Sequence, residues 1–399
     1  MAKKSLSIKI IISVKNKKGE HMRKNPTQWA IMAIMLLGLP LSGILLSGRP
    51  IAPYLEFPPL TRYVEHAAFS WAAFTIFAGI DLLLLFLIIN LMVHGRHKRS
   101  ISTAARHHFP LWGWAGLLIM LVGWLLAWTR FAWFAPWQGH TFCLPWIGYI
   151  ILINALCVQR SGHSLLTDVP KRFPLLIGAS AVFWWFFEYL NRFVQNWYYT
   201  GVDHFSALSY TLFASLSFAT VLPAVLGTYR LLLTYPLFDS GLNQMLSLRN
   251  PFPRALAWGV LALSGAGLAG LGIWPNEFFS LLWVSPLLII SALQFLSGRE
   301  ILFTRLGHGD WRPLLAAALA GLICGFFWEL WNVGSLARWH YAVPYVQRFH
   351  LFAMPMLGYG GYLPFGLECL VVGSMVVGPQ HLFPGEDASA AGEYHRCCK

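Results

Sequence analysis

Ten apolar stretches, separated by short polar turns, decide what this chain can fold into: residues 31–46, 67–93, 111–131, 144–158, 173–191, 207–233, 255–273, 278–296, 313–332 and 351–377. With its flanks, each is long enough to cross a bilayer, where every backbone amide and carbonyl must find its partner inside the chain. The expected class is therefore all-α: a polytopic integral membrane bundle of about ten transmembrane helices. A chain that is 57% hydrophobic and only 11% charged over 399 residues excludes a soluble domain. The first stretch follows Arg23 and Lys24 and reads as a helix rather than a signal peptide, because no small-x-small cleavage site follows it.

The formal charge of +13 raises the question of a polyanion partner. No RNA-binding signature or aromatic-basic ribbon is present, and no nucleic acid is expected. The basic residues instead gather in alternate turns, 94–108, 159–172, 233–254 and 299–312. The other turns are aromatic-rich, although Arg338 and Arg348 weaken the contrast. That alternation predicts a bacterial inner-membrane protein with both termini cytoplasmic. Residues 1–21 are lysine-rich, and Lys-Gly-Glu just before Met22 can be encoded by a purine-rich ribosome-binding site. The expectation is that Met22 is the true start and 1–21 a mis-annotated extension; a genuine basic arm is the alternative.

The cysteines are scattered, Cys143, Cys157, Cys324 and Cys369 near apolar segments and Cys397 and Cys398 at the end, without a disulfide or zinc spacing. His94, His97, His107 and His108 are interleaved with arginine and lysine, which disfavours a bound cation. His395 with the terminal cysteines is no stronger. No nucleotide loop, serine-nucleophile or HExxH motif occurs, so no metal or cofactor is expected.

Acids inside such stretches are costly and need a reason. Glu329 stands among aromatics in Phe327-Trp328-Glu329-Leu330-Trp331-Asn332, followed by Trp339 and Tyr341; Asn332 lies three residues on, on the same helical face. The same words occur at Phe186-Phe187-Glu188-Tyr189-Leu190-Asn191, followed by Trp197 and Tyr199. Trp146 and Asn154-Ala155-Leu156 match Trp283 and Ser291-Ala292-Leu293, and Leu222-Pro223 matches Leu363-Pro364. Two parallel four-span repeats are expected, 111–235 and 255–378, related by an axis along the membrane normal. Before them come a basic tail, 1–26, and a two-helix hairpin, 27–94; after them, a cytoplasmic tail, 379–399.

Pseudo-symmetry would bring Glu188 and Glu329 together, and facing carboxylates tend to share a proton, which leaves a usable acid. The alternative is that each acid only locks helix packing. Asn191 and Asn332 would orient the acids, bind a substrate oxygen or serve as packing contacts. Trp197, Tyr199, Trp339 and Tyr341 would line a pocket or form an interfacial belt. Glu368 follows Pro364 where the first repeat has Gly227 after Pro223, so a proline kink and an acid would shape one working site. Asp81, near the middle of the second stretch, is a candidate proton relay.

Trp328-Glu329 with Asn332, then Trp339-x-Tyr341, then Leu363-Pro364 and Glu368, resembles the repeats of the small membrane-bound lycopene cyclases over about 45 residues. That family's Pro-x-Glu-Glu is here Pro364-Phe365-Gly366-Leu367-Glu368, and the first repeat lacks the second acid. The resemblance implies proton-initiated chemistry on an isoprenoid without redox change, with Glu329, Glu188 and Glu368 as the acids. The expected partners are membrane lipids and a hydrophobic small molecule. A proton-coupled transporter using Asp81, Glu188, Glu329 and Glu368 as a relay, and a structural assembly subunit, are the alternatives.

Overall fold

The computed structural model describes residues 26–59, 61–98, 107–248 and 253–383. The expected N-terminal extension, the centre of the basic turn 94–108, and the tail beyond residue 383 with its histidine and cysteines lie outside them. Among the described residues, nine helices are long and apolar enough to cross a membrane, or ten when a bent pair is taken as one span. The fold is an all-α polytopic bundle. Its long helices are α1 (Pro26–Leu46), α2 (Trp71–Lys98), α3 (Leu111–Trp128), α4 (Cys143–Ser161), α5 (Phe173–Val194), α6 (Ala207–Phe218), α7 (Val221–Leu233), α8 (Arg254–Ile273), α9 (Ser285–Leu296), α10 (Arg312–Gly334) and α11 (Tyr362–Val377). Helices α6 and α7 together make the sixth span.

Two expected spans differ in detail. The eighth is broken: Pro275–Trp283 meets α9 at a bend of 53°. Pro286, at the start of α9, has no amide to carry the ladder back across Val284. The tenth begins at Met356. The residues before it form a small hairpin of β3 (His350–Leu351) and β4 (Met354–Pro355).

The core sits where α5, α7, α10 and α11 pack together, and Trp146, Phe187, Trp331 and Phe365 are completely buried there. Helix α10 approaches α11 closely because Gly321 and Gly366 lack side chains; a Cβ on either would strike the opposite backbone, at Tyr362 O and Ala317 O. Helix α4 crosses to α10, setting Trp146 5.1 Å from Trp328. The turn before α9 crosses to α5, setting Trp283 5.1 Å from Phe187. The two N-terminal helices, expected as a hairpin, dock on different partners. Helix α1 lies on α8, while α2 touches mainly the turns Leu237–Gly241 and Met356–Gly361. The most apolar window of α2 has no buried residue, so lipid is its main solvent.

The ends of the bundle differ chemically. At the N-terminal ends of α5 and α10, Arg230 pairs with Asp168 at 2.8 Å and Arg312 with Asp310 at 2.8 Å. At their C-terminal ends, the chain turns into β1 (Trp197–Thr200) and β2 (Arg338–Tyr341), which pair with each other.

Candidate functional site

The two Trp-x-Tyr words lie on these paired strands. Their antiparallel register sets Trp197 opposite Tyr341 and Tyr199 opposite Trp339, with Tyr198 and His340 at the centre. Each tryptophan is thus partnered by the tyrosine of the other word. Burial and Arg338 hold the His340 imidazole below the usual histidine range, and its Nε2 lies 3.1 Å from Thr200 Oγ1.

Each strand is tied to its helix by the asparagine. Asn191 donates to Trp197 O at 2.8 Å and accepts from Trp197 N at 3.3 Å. Asn332 does the same for Trp339, at 2.9 Å in both directions. Both asparagines are fully buried. Their amides are used on backbone, so of the expected roles, orienting an acid or binding a substrate oxygen gives way to fixing where each strand starts.

The acids sit one helical turn earlier and do not meet. Glu188 Oε1 accepts from Trp184 Nε1 at 3.0 Å, Trp197 Nε1 at 3.0 Å and Tyr199 OH at 2.6 Å. Glu329 Oε1 accepts from Tyr341 OH at 2.7 Å and Tyr362 OH at 2.8 Å, and Trp339 Nε1 donates in turn to Tyr341 OH at 2.9 Å. Each carboxyl group is wholly buried in its own aromatic cage, and no hydrogen bond joins the two. The expected shared-proton pair is therefore two separate sites. In both, Oε2 is buried without a partner. Burial, followed by the charge of the adjoining acid, pushes the Tyr199 and Tyr341 hydroxyls well above the usual tyrosine range, so both remain donors.

The cages differ by a reciprocal exchange. Trp184, four residues before Glu188, corresponds to Gly325 before Glu329; Val221, opposite, corresponds to Tyr362. Where the first cage takes one donor, Trp184, from its own helix, the second takes one, Tyr362, from α11. The Tyr362 ring occupies the space beside Gly325, which a Cβ there would invade.

Trp197, Tyr199, Trp339 and Tyr341 all line one cavity of about 410 Å³ beneath the strands. Its walls include Trp184 and Trp328, whose rings are 6.3 Å apart, Trp283, Tyr362, and Tyr210 and Phe213 of α6. Helix α2 contributes Phe77, Ile80, Asp81 and Leu84. The cavity thus reaches Asp81 but not Glu188 or Glu329, which stand behind the side chains they hold. Glu368 is elsewhere. It is fully buried in α11, outside the cavity lining, and neither of its oxygens has a partner. Ser291 Oγ is likewise buried and unpartnered.

Sequence reasoning missed Trp184, Trp283, Trp328 as a wall residue, and Tyr362. A constant offset of 141 residues links Glu188 to Glu329, Trp184 to Gly325, Val221 to Tyr362 and Gly227 to Glu368. Carrying that offset past the identical words would have exposed the exchange. Among the described residues, no group of His, Cys, Asp and Glu is arranged to hold a metal ion. No protein-family model, curated protein or solved structure matches the chain.

Proposed function

We propose that this chain is a bacterial inner-membrane protein, both termini inside, whose parallel repeats, 111–235 and 255–378, enclose a binding site for a lipid or isoprenoid drawn from the bilayer. The observation that carries this reading is the aromatic cavity between the halves, walled on one side by α2, a helix with no buried residue in its apolar window. A wall one helix thick gives a greasy ligand lateral access, and an apolar pocket with few convergent polar groups is the usual form of a small-molecule site. The repeat is supported by the crossed pairing of the Trp-x-Tyr words and by the Asn–Trp ties. The orientation is supported by the arginines at the N-terminal ends of α5 and α10, Arg172 and Arg312.

The acids act on this ligand through the side chains that they hold. Glu329 fixes Tyr341 and Tyr362, and Glu188 fixes Trp184, Trp197 and Tyr199, all of which line the cavity. Acid–base chemistry on an isoprenoid, which the lycopene-cyclase resemblance implies, finds less support than binding, because neither Glu188 nor Glu329 reaches the cavity. The transporter alternative finds less support, since among the described residues none of the basic turns 159–172, 233–254 or 299–312 lines the cavity.

Photo-crosslinking with a diazirine-bearing isoprenoid in reconstituted membranes tests the reading. Label is expected on the peptides carrying Trp184, Trp283 and Trp328. Label confined to the exposed faces of α2 and α8 would contradict it.

A further inference from the structure

The cavity has one fixed acid and nothing to balance it. Asp81 lies on α2, ten residues from Trp71 at its outer end, and so about 15 Å along the helix from that end. No lysine, arginine or histidine lines the cavity, and no hydrogen bond or ion pair engages the Asp81 carboxyl group among the described residues. Its seat is shaped for it: a Cβ on Gly360 would collide with Asp81 Oδ1, so the loop opposite has backbone where a side chain would intrude.

The surroundings of Asp81 are aromatic. Phe77, one turn earlier on α2, packs 5.7 Å from Phe279, and Trp283 adjoins Gly361, next to Gly360. All three rings line the cavity. A carboxylate beside aromatic faces, in an apolar pocket without a counter-charge, is the environment an organic cation seeks; an anion would meet the acid and gain no donor of opposite charge.

Resting on the reading that this cavity takes an apolar ligand, we propose that the ligand is an amphiphile with an ammonium group, whose nitrogen lies against Asp81, Phe77, Phe279 and Trp283 while its chain lies between Trp184 and Trp328. Asp81 then sets the charge of the ligand, and the caged acids set the shape of the pocket. Neutral chains bind more weakly, and carboxylates are rejected.

The test uses the full chain in nanodiscs of a zwitterionic lipid, with tryptophan fluorescence titrated by four twelve-carbon probes: dodecyltrimethylammonium, dodecylphosphocholine, dodecanol and dodecanoate. The ammonium probe should bind at least about tenfold more tightly than dodecanol, with dodecanoate weakest. Dodecylphosphocholine distinguishes the source: binding equal to the plain ammonium points to a lipid headgroup, weaker binding to a free amphiphilic amine, and either keeps the ammonium site. Asp81→Asn should bring the ammonium probe and dodecanol to equal affinity, while Asp81→Glu should retain the preference and guard against a folding artefact. Dodecanol or dodecanoate binding as well as the ammonium to the native chain would overturn this proposal and leave the cavity reading intact. If no probe binds more weakly to a chain whose cavity is filled by Ala214→Trp, the cavity reading itself fails.

Discussion

Tyr341 and Trp197 face each other across the two-stranded sheet, and each donates a hydrogen bond to the acid of its own helix, Tyr341 to Glu329 at 2.7 Å and Trp197 to Glu188 at 3.0 Å. The backbone ladder thereby couples two buried carboxyl groups that never touch. Both strands also face the cavity beneath, which Trp197, Tyr199, Trp339 and Tyr341 line.

The cages make separable demands on stability. Glu329→Gln keeps an acceptor for Tyr341 and Tyr362 and should cost only about 1 kcal/mol. Glu329→Leu removes the acceptor from both buried hydroxyls, at about 1–3 kcal/mol for each. Thermal unfolding in detergent should rank the leucine variant well below the glutamine variant. Equal losses would mean that the hydrogen bonds are not what Glu329 contributes.

The exchange between the cages can be reversed. Gly325→Ala pushes a methyl group into the Tyr362 ring and should cost about 1–3 kcal/mol by overpacking. In the Tyr362→Val background, which copies Val221, the ring is gone and the same substitution should be nearly neutral. A double-mutant cycle on unfolding should give a coupling of about 1 kcal/mol or more; strict additivity would show that Gly325 is not there to seat Tyr362.

Acid should loosen the sheet. Burial and Arg338 depress His340 below its unfolded value near 6.5, so the native chain binds fewer protons than the unfolded one. The stability that this gives is present above about pH 6.5 and is lost as pH falls through the depressed value. Between pH 7.5 and 5 the unfolding temperature of the native chain should therefore fall relative to that of His340→Gln. Parallel curves would remove His340 from the account.

Orientation is tested by a reporter fused after Phe205, in the turn between β1 and α6. It should read as external in an otherwise intact chain. A cytoplasmic signal would invert the proposed topology.

Length and apolarity made the spans readable from sequence because the bilayer demands both. The break at Val284 was less readable, since the apolar run continues through it and only Pro286 marks the place. The repeated Glu-x-x-Asn and Trp-x-Tyr words were visible as words. That the two Trp-x-Tyr segments pair with each other was not, because they lie far apart in the chain and a register is a tertiary property. For the same reason Asn191 and Asn332 looked like ligands for the acids, although their amides are spent on Trp197 and Trp339. Tyr362 and Trp184 were missed because they do one job from different elements, so neither is conspicuous until Gly325 and Val221 are set beside them. Asp81 was visible as an acid in a span, but its place on the cavity wall depends on how α2 docks.

Mass spectrometry of the lipid extract carried by the purified chain tests the central claim most directly. An apolar ligand, absent from a mock purification of the same membranes, should accompany the native chain in near-stoichiometric amount and be lost from Ala214→Trp, which fills the cavity while leaving Glu188 and Glu329 in their cages. A native chain that carries nothing beyond bulk lipid, or a filled variant that carries the same ligand at the same level, would contradict it.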